Sequence, residues 1–189
     1  MSTNIMIVGV GGQGALLTSR IFGEVLLSQG YDAKVSEVHG MSQRGGSVVT
    51  YVKYSEAVAS PVIEEGEADY ILAFEQLEGL RWLPFLKPEG KLIVNTQKLN
   101  PMPVITGAME YPANIMDVVN ESGAQVDALD ALALSIETGS AKAVNVVLLG
   151  ALAKCLDFPL EVWQAALEKI VPANFLEMNK KAFALGYGA

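Results

Sequence analysis

The chain has little sulfur and almost no imidazole. One cysteine, Cys155, and one histidine, His39, occur among its 189 residues. A single cysteine forms no internal disulfide, which is the usage expected of a protein in a reducing cytoplasm. The Cys/His sets of zinc sites and the four thiolates of an iron–sulfur cluster are excluded as well. If the protein takes part in redox chemistry, metal-based electron carriers are therefore not ligated by this chain alone.

Basic residues are also scarce, and long hydrophobic runs are missing. Thirteen Lys and Arg face 21 Asp and Glu, a net charge of -8, which argues against nucleic-acid binding and against anionic membranes. The most apolar run, residues 143–153, is bounded by Lys142 and Lys154 and is too short for the ~20 residues of a membrane span. No secretory signal precedes the first apolar segment. We therefore expect a cytoplasmic protein in which this run is a buried helix.

Half of the residues, 51%, are hydrophobic and 18% are charged, so the chain can bury a substantial core. Its length suits one domain over residues 1–189. Strands are predicted at residues 5–8, 33–38, 47–53, 70–74, 91–94 and 125–129, and helices at 15–27, 76–86, 115–122 and through most of the remainder. This alternation predicts a three-layer, Rossmann-like α/β domain with a mostly parallel sheet and a helical C-terminal segment.

The positions of proline and glycine give three further predictions of local structure. Three prolines in residues 100–112 predict an extended connector with one short strand around Val104. Pro88-Glu89-Gly90 predicts a turn that leads into the strand at residues 91–94. The last helix is predicted to end at Gly186.

The segment GVGGQG, residues 9–14, follows a buried strand and satisfies the G-x-G-x-x-G pattern of dinucleotide-binding proteins. Glu37, near the end of the second strand, lies where an acid would meet ribose hydroxyls. The pattern alone leaves three readings open: a sharp strand-to-helix turn, an anion site at a helix N-terminus, or an NAD or FAD site. About 150 residues follow Glu37, and they are predicted to complete the same sheet, so we expect no separate substrate domain.

A second glycine-rich segment, HGMSQRGG at residues 39–46, holds the other polar candidates. Arg44 suits bidentate pairing with a carboxylate or phosphate, and His39 suits proton exchange near neutral pH. Both are equally open to structural or interface roles. Asn145, within the apolar run 143–153, is predicted to hydrogen-bond either across a subunit interface or within the chain. Cys155, on the same helical stripe, is predicted to be a buried structural thiol.

Taken together, GVGGQG and EVHGMSQRGGSV (residues 37–48) resemble the gamma subunit or domain of 2-oxoacid:ferredoxin oxidoreductases. The resemblance is strongest to the small beta subunit of the indolepyruvate type. Further matching stretches are GEADYILAFEQLEGLR (66–81), LKPEGKLIVNTQ (86–97) and AVNVVLLGAL (143–152), so the resemblance covers nearly the whole chain.

The resemblance implies an accessory subunit of an enzyme that decarboxylates a 2-oxoacid oxidatively. In that family thiamine diphosphate with magnesium forms the adduct, iron–sulfur clusters take the electrons, coenzyme A accepts the acyl group, and ferredoxin is the acceptor. This chain lacks the cluster cysteines and a Gly-Asp-Gly segment for the diphosphate. Thiamine and clusters are therefore expected on a larger partner subunit, and the chain is not expected to be active alone. An uncovered hydrophobic interface would let the isolated chain form homodimers.

We expect the two glycine-rich segments to meet at the carboxyl edge of the sheet, facing the partner and coenzyme A. The residues predicted to line this shared site are Gly9, Gly11, Gly12, Gln13, Gly14, His39, Gln43, Arg44, Gly45, Gly46 and Asn145. No metal ligand is assigned. Two rival functions remain: a free-standing NAD- or FAD-dependent Rossmann oxidoreductase, and an assembly subunit that touches no ligand.

Overall fold

A computed structural model describes residues 2–39 and 46–189. Six strands and eight α-helices occur in these ranges. In chain order they are β1 (Thr3–Val10), α1 (Ala15–Ser28), β2 (Asp32–His39), β3 (Ser47–Ser55), β4 (Ala68–Ala73), α2 (Gln76–Trp82), β5 (Leu86–Asn95), α3 (Met102–Ile105), α4 (Ile115–Glu121), β6 (Gln125–Leu129), α5 (Ala131–Ile136), α6 (Val144–Ala153), α7 (Leu160–Ile170) and α8 (Ala173–Gly188). Single 3-10 turns occupy Leu83–Phe85 and Ala141–Ala143.

The strands form one sheet in the order β2-β3-β1-β4-β5-β6. Strands β1, β4, β5 and β6 are parallel neighbours, whereas β3 is antiparallel to both β1 and β2. The predicted mostly parallel α/β sheet is confirmed. Strand β2 runs in the direction of β1, with β3 between them. The connection between β2 and β3, residues 40–46, is too short for a parallel crossover, so β3 is antiparallel to β2.

Both faces of the sheet are buried. In β1, Ile5 and Ile7 pack into the core under α1, α6, α7 and α8, while Met6 and Val8 pack into a second core under α2 and α4. This accounts for the continuous apolar run that the strand shows in the sequence. On the larger side, Trp163 is fully buried and stacks on Phe22 with ring centroids 5.6 Å apart.

Helix α6 confirms the buried helix predicted for the most apolar run. Asn145 and all the residues after it in α6 are buried. In the part of the chain that the structure describes, no helix is both long and apolar enough to cross a membrane.

Helices α6 and α8 touch through two glycines. A Cβ on Gly186 would lie 1.8 Å from the Val147 carbonyl oxygen, and one on Gly150 would lie 2.2 Å from that of Phe183. The prediction that Gly186 ends the last helix is wrong, since α8 continues to Gly188. Gly186 is required here for close approach of two backbones and not for a left-handed cap.

Two other predictions fail because of proline. The strand expected around Val104 is instead α3, a single helical turn with Pro101 as N-cap and Pro103 in its first turn, where proline costs no hydrogen bond. Pro88-Glu89-Gly90 does not form a turn before the strand, because β5 already begins at Leu86. The register between β4 and β5 shifts there instead, which is how a strand accommodates extra residues.

Candidate functional site

The carboxyl ends of β1 and β2 and the start of β3 lie together at one edge of the sheet, the carboxyl edge. Val10 pairs with Ser47 and His39 with Val48. The Gly11 N–H donates to the Gly46 carbonyl oxygen at 3.0 Å. The two predicted glycine-rich segments therefore meet at their described ends. Gln43, Arg44 and Gly45 lie outside the described residues.

The side chain of Gln13 packs inside the segment GVGGQG, residues 9–14, which we call the glycine loop. Its Oε1 accepts from the Val10 N–H at 2.7 Å, and its Nε2 donates to the Phe74 carbonyl oxygen at 3.0 Å. Gly9 leaves the room for this, since a Cβ there would lie 2.8 Å from Gln13 Oε1. An amide that a phosphate would otherwise bind is thus satisfied within the chain, and Gln13 ties the end of β1 to the end of β4.

Gly14 is the N-cap of α1 and has a φ of 87°, in the left-handed region. The Asn145 side chain packs against it, and Asn145 Nδ2 donates to the Gly14 carbonyl oxygen at 3.3 Å. Of the two readings of Asn145, the structure shows the hydrogen bond within the chain. This bond joins the start of α1 to the start of α6.

Glu37, the acid expected at a ribose, accepts a hydrogen bond from Ser19 Oγ of α1 at 2.9 Å. Ser19 is buried. The carboxylate therefore joins β2 to α1, which weakens the dinucleotide reading of the glycine pattern.

A cleft of about 610 Å³ opens beside the glycine loop, and we call it the glycine-loop cleft. Gly12, Gln13 and Gly14 form one wall, and the start of α8 with the half-exposed Phe175 forms another. Among the described residues that line this cleft, Lys142 is the one with a positive charge. The cleft thus combines the glycine loop and a cation with an apolar surface.

Two buried carboxylates at the start of α2, one of them the N-cap residue, stabilise a neighbouring part of the carboxyl edge. Glu75 is 1% exposed and Glu78 is 4% exposed. Glu78 accepts from Ser47 Oγ, at the start of β3, and from Arg81 Nε at 3.1 Å. Trp82 Nε1 donates to the same Ser47 hydroxyl at 3.4 Å.

Glu75 stabilises the connector between β5 and α4, residues 99–112. Its carboxylate caps α2 by accepting from the Glu78 N–H at 3.0 Å, and it also accepts from the Leu99 N–H and the Tyr111 hydroxyl. Burial, followed by this hydrogen bond, raises the pKa of Tyr111 well above its usual value. The phenol therefore stays protonated and remains a donor to Glu75.

Sequence reasoning missed Glu75 and Glu78 as site residues. One signal was available for Glu75, which lies two residues past the end of the buried strand β4, at the edge where α/β proteins place functional side chains. Glu78 gave no signal, because its partner Ser47 lies 31 positions away.

Apolar side chains are exposed at the same edge. Met102, Ile105 and Met109, which we call the connector patch, are 51%, 64% and 65% exposed. A cleft of about 410 Å³ lies between this patch, α2 and Gly46, and we call it the α2 cleft. Contiguous exposed apolar side chains are typical of protein–protein interfaces and of ligand-binding grooves.

Across residues 2–39 and 46–189, no group of three or more His, Cys, Asp or Glu side chains is arranged to hold a metal ion. Cys155 lies past the end of α6 and is half-buried. Burial raises the pKa of its thiol, which supports the structural reading of this residue.

The chain belongs to the pyruvate ferredoxin/flavodoxin oxidoreductase family, whose model matches residues 4–189. This confirms the resemblance found in the glycine-rich segments. The match includes both of these segments, the connector and the helical C-terminal segment.

Among curated relatives, the chain is 41% identical to the indolepyruvate oxidoreductase subunit IorB of Thermococcus kodakarensis. The alignment covers 98% of this chain and 95% of that protein. The IorB subunit of Methanothermobacter thermautotrophicus is 37% identical, over 100% of this chain and 98% of the relative. The common gamma subunit of the pyruvate/ketoisovalerate oxidoreductases of Pyrococcus abyssi is 24% identical, over 92% and 89%.

A solved structure has the same architecture. The gamma subunit of a keto/oxoacid ferredoxin oxidoreductase from Geobacter sulfurreducens superposes with a TM-score of 0.74 at 25% identity, over 98% of this chain and 96% of that one. A 2-oxoglutarate:ferredoxin oxidoreductase from Magnetococcus marinus superposes with a TM-score of 0.75 at 17% identity. There the match covers 99% of this chain but 30% of the longer one, so the fold forms one part of a larger polypeptide.

Proposed function

We propose that this chain is the small subunit of an indolepyruvate-type 2-oxoacid:ferredoxin oxidoreductase, with residues 1–189 acting as one gamma-type domain. The observation that carries the proposal is the similarity to the IorB subunits along nearly the full length of both proteins. The catalytic cofactors belong to a larger partner. One cysteine cannot hold iron–sulfur clusters, and the described residues offer no metal-binding group.

The carboxyl edge is the surface proposed to face that partner. It gathers the glycine loop, the described ends of the second glycine-rich segment, and the connector patch. A partner that held thiamine diphosphate with magnesium would supply the decarboxylation chemistry, and its iron–sulfur clusters would supply electron transfer to ferredoxin. The residues of this chain shape and close one wall of the shared site. His39, Gln43 and Arg44 are the polar side chains proposed to reach into it.

Coenzyme A is the ligand proposed for the glycine-loop cleft. Its phosphates suit Lys142 and the backbone N–H groups at the start of α1, and the apolar wall around Phe175 suits its pantetheine arm. The cleft volume of about 610 Å³ is within the range of small-molecule sites. The Gln13 amide, already engaged within the loop, shapes the wall and is not a ligand donor.

The test is reconstitution with the larger subunit from the same cell. We expect affinity capture on this chain to recover one large, cysteine-rich, thiamine-containing chain. The pair should reduce ferredoxin with indolepyruvate only when coenzyme A is present. Recovery of separate alpha, beta and delta-type partners would assign the chain to another branch of the family, and recovery of no thiamine-containing partner would reject the proposal.

Two further measurements separate the rival functions. If the isolated chain bound NAD or FAD with micromolar affinity in calorimetry, it would be a free-standing Rossmann oxidoreductase. If Arg44→Ala left both assembly and turnover of the complex unchanged, the second glycine-rich segment would have no catalytic part.

A further inference from the structure

The α2 cleft has two walls and a floor. One wall is the strand start at Gly46 and Ser47, and the other is the connector from Leu99 to Pro112. Helix α2 is the floor, because Gly79 packs against Ala73 and Val94 of the sheet. Neither wall belongs to a long helix, and side-chain hydrogen bonds from the start of α2 reach both walls.

Each wall is held by one buried carboxylate of α2. The Glu78 carboxylate accepts from the Ser47 hydroxyl. Ser47 directly follows Gly46, whose carbonyl oxygen accepts from the Gly11 N–H. Glu75 holds the Leu99 N–H and the Tyr111 hydroxyl at the two ends of the connector. The connector patch lies on the chain between these two anchors.

Buried carboxylates are costly to desolvate and persist where their hydrogen bonds are complete. Glu75 accepts three hydrogen bonds and Glu78 accepts two, one of them from Arg81. Hydrogen bonds to a carboxylate are stronger than neutral ones. Such bonds fix geometry more tightly than an apolar contact of the same size.

We infer that Glu75 and Glu78 are positioning residues that set the connector and the Gly46–Ser47 wall for binding of the larger subunit. The inference rests on the proposed function, because the partner is the one assigned there. Neither residue is assigned a role in the chemistry itself. They determine how well the preformed surface matches the partner, and therefore the dissociation constant of the complex.

The experiment compares Glu75→Gln, Glu78→Gln and the matched control Glu121→Gln, an exposed glutamate on the neighbouring helix α4. We expect the two buried substitutions to raise the dissociation constant of the larger subunit about tenfold, while kcat at saturating partner stays within twofold. Glu121→Gln should change neither quantity. A purely structural role would lower the melting temperature and leave the affinity of the folded chain unchanged, which would overturn the inference.

Hydrogen exchange of the isolated chain gives a readout that does not depend on the partner. Glu78→Gln should speed exchange of the Gly11 amide and Glu75→Gln that of the Leu99 amide, each by about tenfold, with the β4 amides unchanged. Unaltered exchange at both positions would overturn the inference even if no partner bound. Failure of the wild-type chain to bind the larger subunit would instead reject the proposed function.

Ser47→Ala and Tyr111→Phe serve where a glutamine variant fails to fold, because they remove the same contacts from the opposite side. In the double variant Ser47→Ala/Glu78→Gln, the rise in dissociation constant should be no larger than in either single variant. Fully additive effects would show that Glu78 acts through something other than Ser47.

Discussion

The two edges of the sheet are finished in different ways. The amino edge is the opposite end of the sheet, where β1, β4, β5 and β6 begin. Charged side chains form ion pairs there in a groove of about 910 Å³. Lys91 pairs with Asp127 at 3.0 Å, and Lys87 pairs with Asp69. At the carboxyl edge, the carboxylates are buried beneath the surface and apolar side chains lie above them. The amino-edge groove thus contains ion pairs formed within the chain, whereas the carboxyl edge presents the connector patch, which another molecule can cover.

The largest expected difference between the two edges is the loss of unfolding free energy caused by a glycine-to-alanine substitution. Gly14→Ala places a Cβ at a φ of 87° and 2.7 Å from Asn145 Nδ2. Left-handed strain and overpacking together should cost about 2–4 kcal/mol of unfolding free energy. Gly66→Ala, before β4 at the amino edge, is strained but meets nothing within 4 Å, so about 1–2 kcal/mol is expected. Urea denaturation of both variants measures the difference, and equal losses would contradict it.

The second prediction concerns the connector patch. Replacing Met102, Ile105 and Met109 together by glutamine should leave the melting temperature unchanged, because all three side chains are exposed. Binding of the larger subunit should weaken at least tenfold, or about 1.4 kcal/mol, through loss of apolar burial. The control carries Leu27→Gln and Val62→Gln, exposed apolar residues away from the carboxyl edge. If surface plasmon resonance shows equal weakening in both variants, the edges do not differ in this way.

A smaller effect is expected from single cations. Lys142→Gln, in the glycine-loop cleft, should raise KM for coenzyme A about threefold to tenfold, the size of one exposed charge–phosphate contact. Lys154→Gln is the matched change in the amino-edge groove, where its Nζ contacts the Ala189 carbonyl oxygen. That variant should keep the wild-type KM. Steady-state assays of the reconstituted complex distinguish the two, and an unchanged KM in Lys142→Gln would remove this residue from the site.

The smallest effect is a pH dependence at the amino edge. A hydrogen bond from Lys34, with a second from the Val58 N–H, lowers the pKa of the Asp32 carboxyl. Since the folded pKa is below the unfolded value, this stabilisation is present above the usual pKa of about 3.9 and is lost as pH falls through the folded value. Asp32→Asn should therefore flatten the acid limb of a stability–pH curve. Asp157→Asn at the same edge is the charge-matched control, and an identical acid limb in wild type and Asp32→Asn would refute the prediction.

The sequence was sufficient to predict the sheet and the meeting of the two glycine-rich segments. Residues 5–8 and 70–74 are apolar throughout, and that pattern is local. The connector was not predictable, since whether Pro103 breaks a helix or begins one depends on its position in the turn. The bracing carboxylates were not predictable either. The segment FEQLEGLR has the appearance of an amphipathic surface helix, and Glu78 is recognised as buried only when Ser47 and Trp82 are placed above it.

The close approach of α6 and α8 at Gly150 and Gly186 has a consequence in genetic terms. Every missense change of a glycine codon adds a side chain, and at either position that side chain would enter the backbone of the opposite helix. No amino acid is therefore a conservative replacement at these two codons. Missense alleles there should behave as loss-of-fold alleles, even though both codons are far from those for the glycine loop.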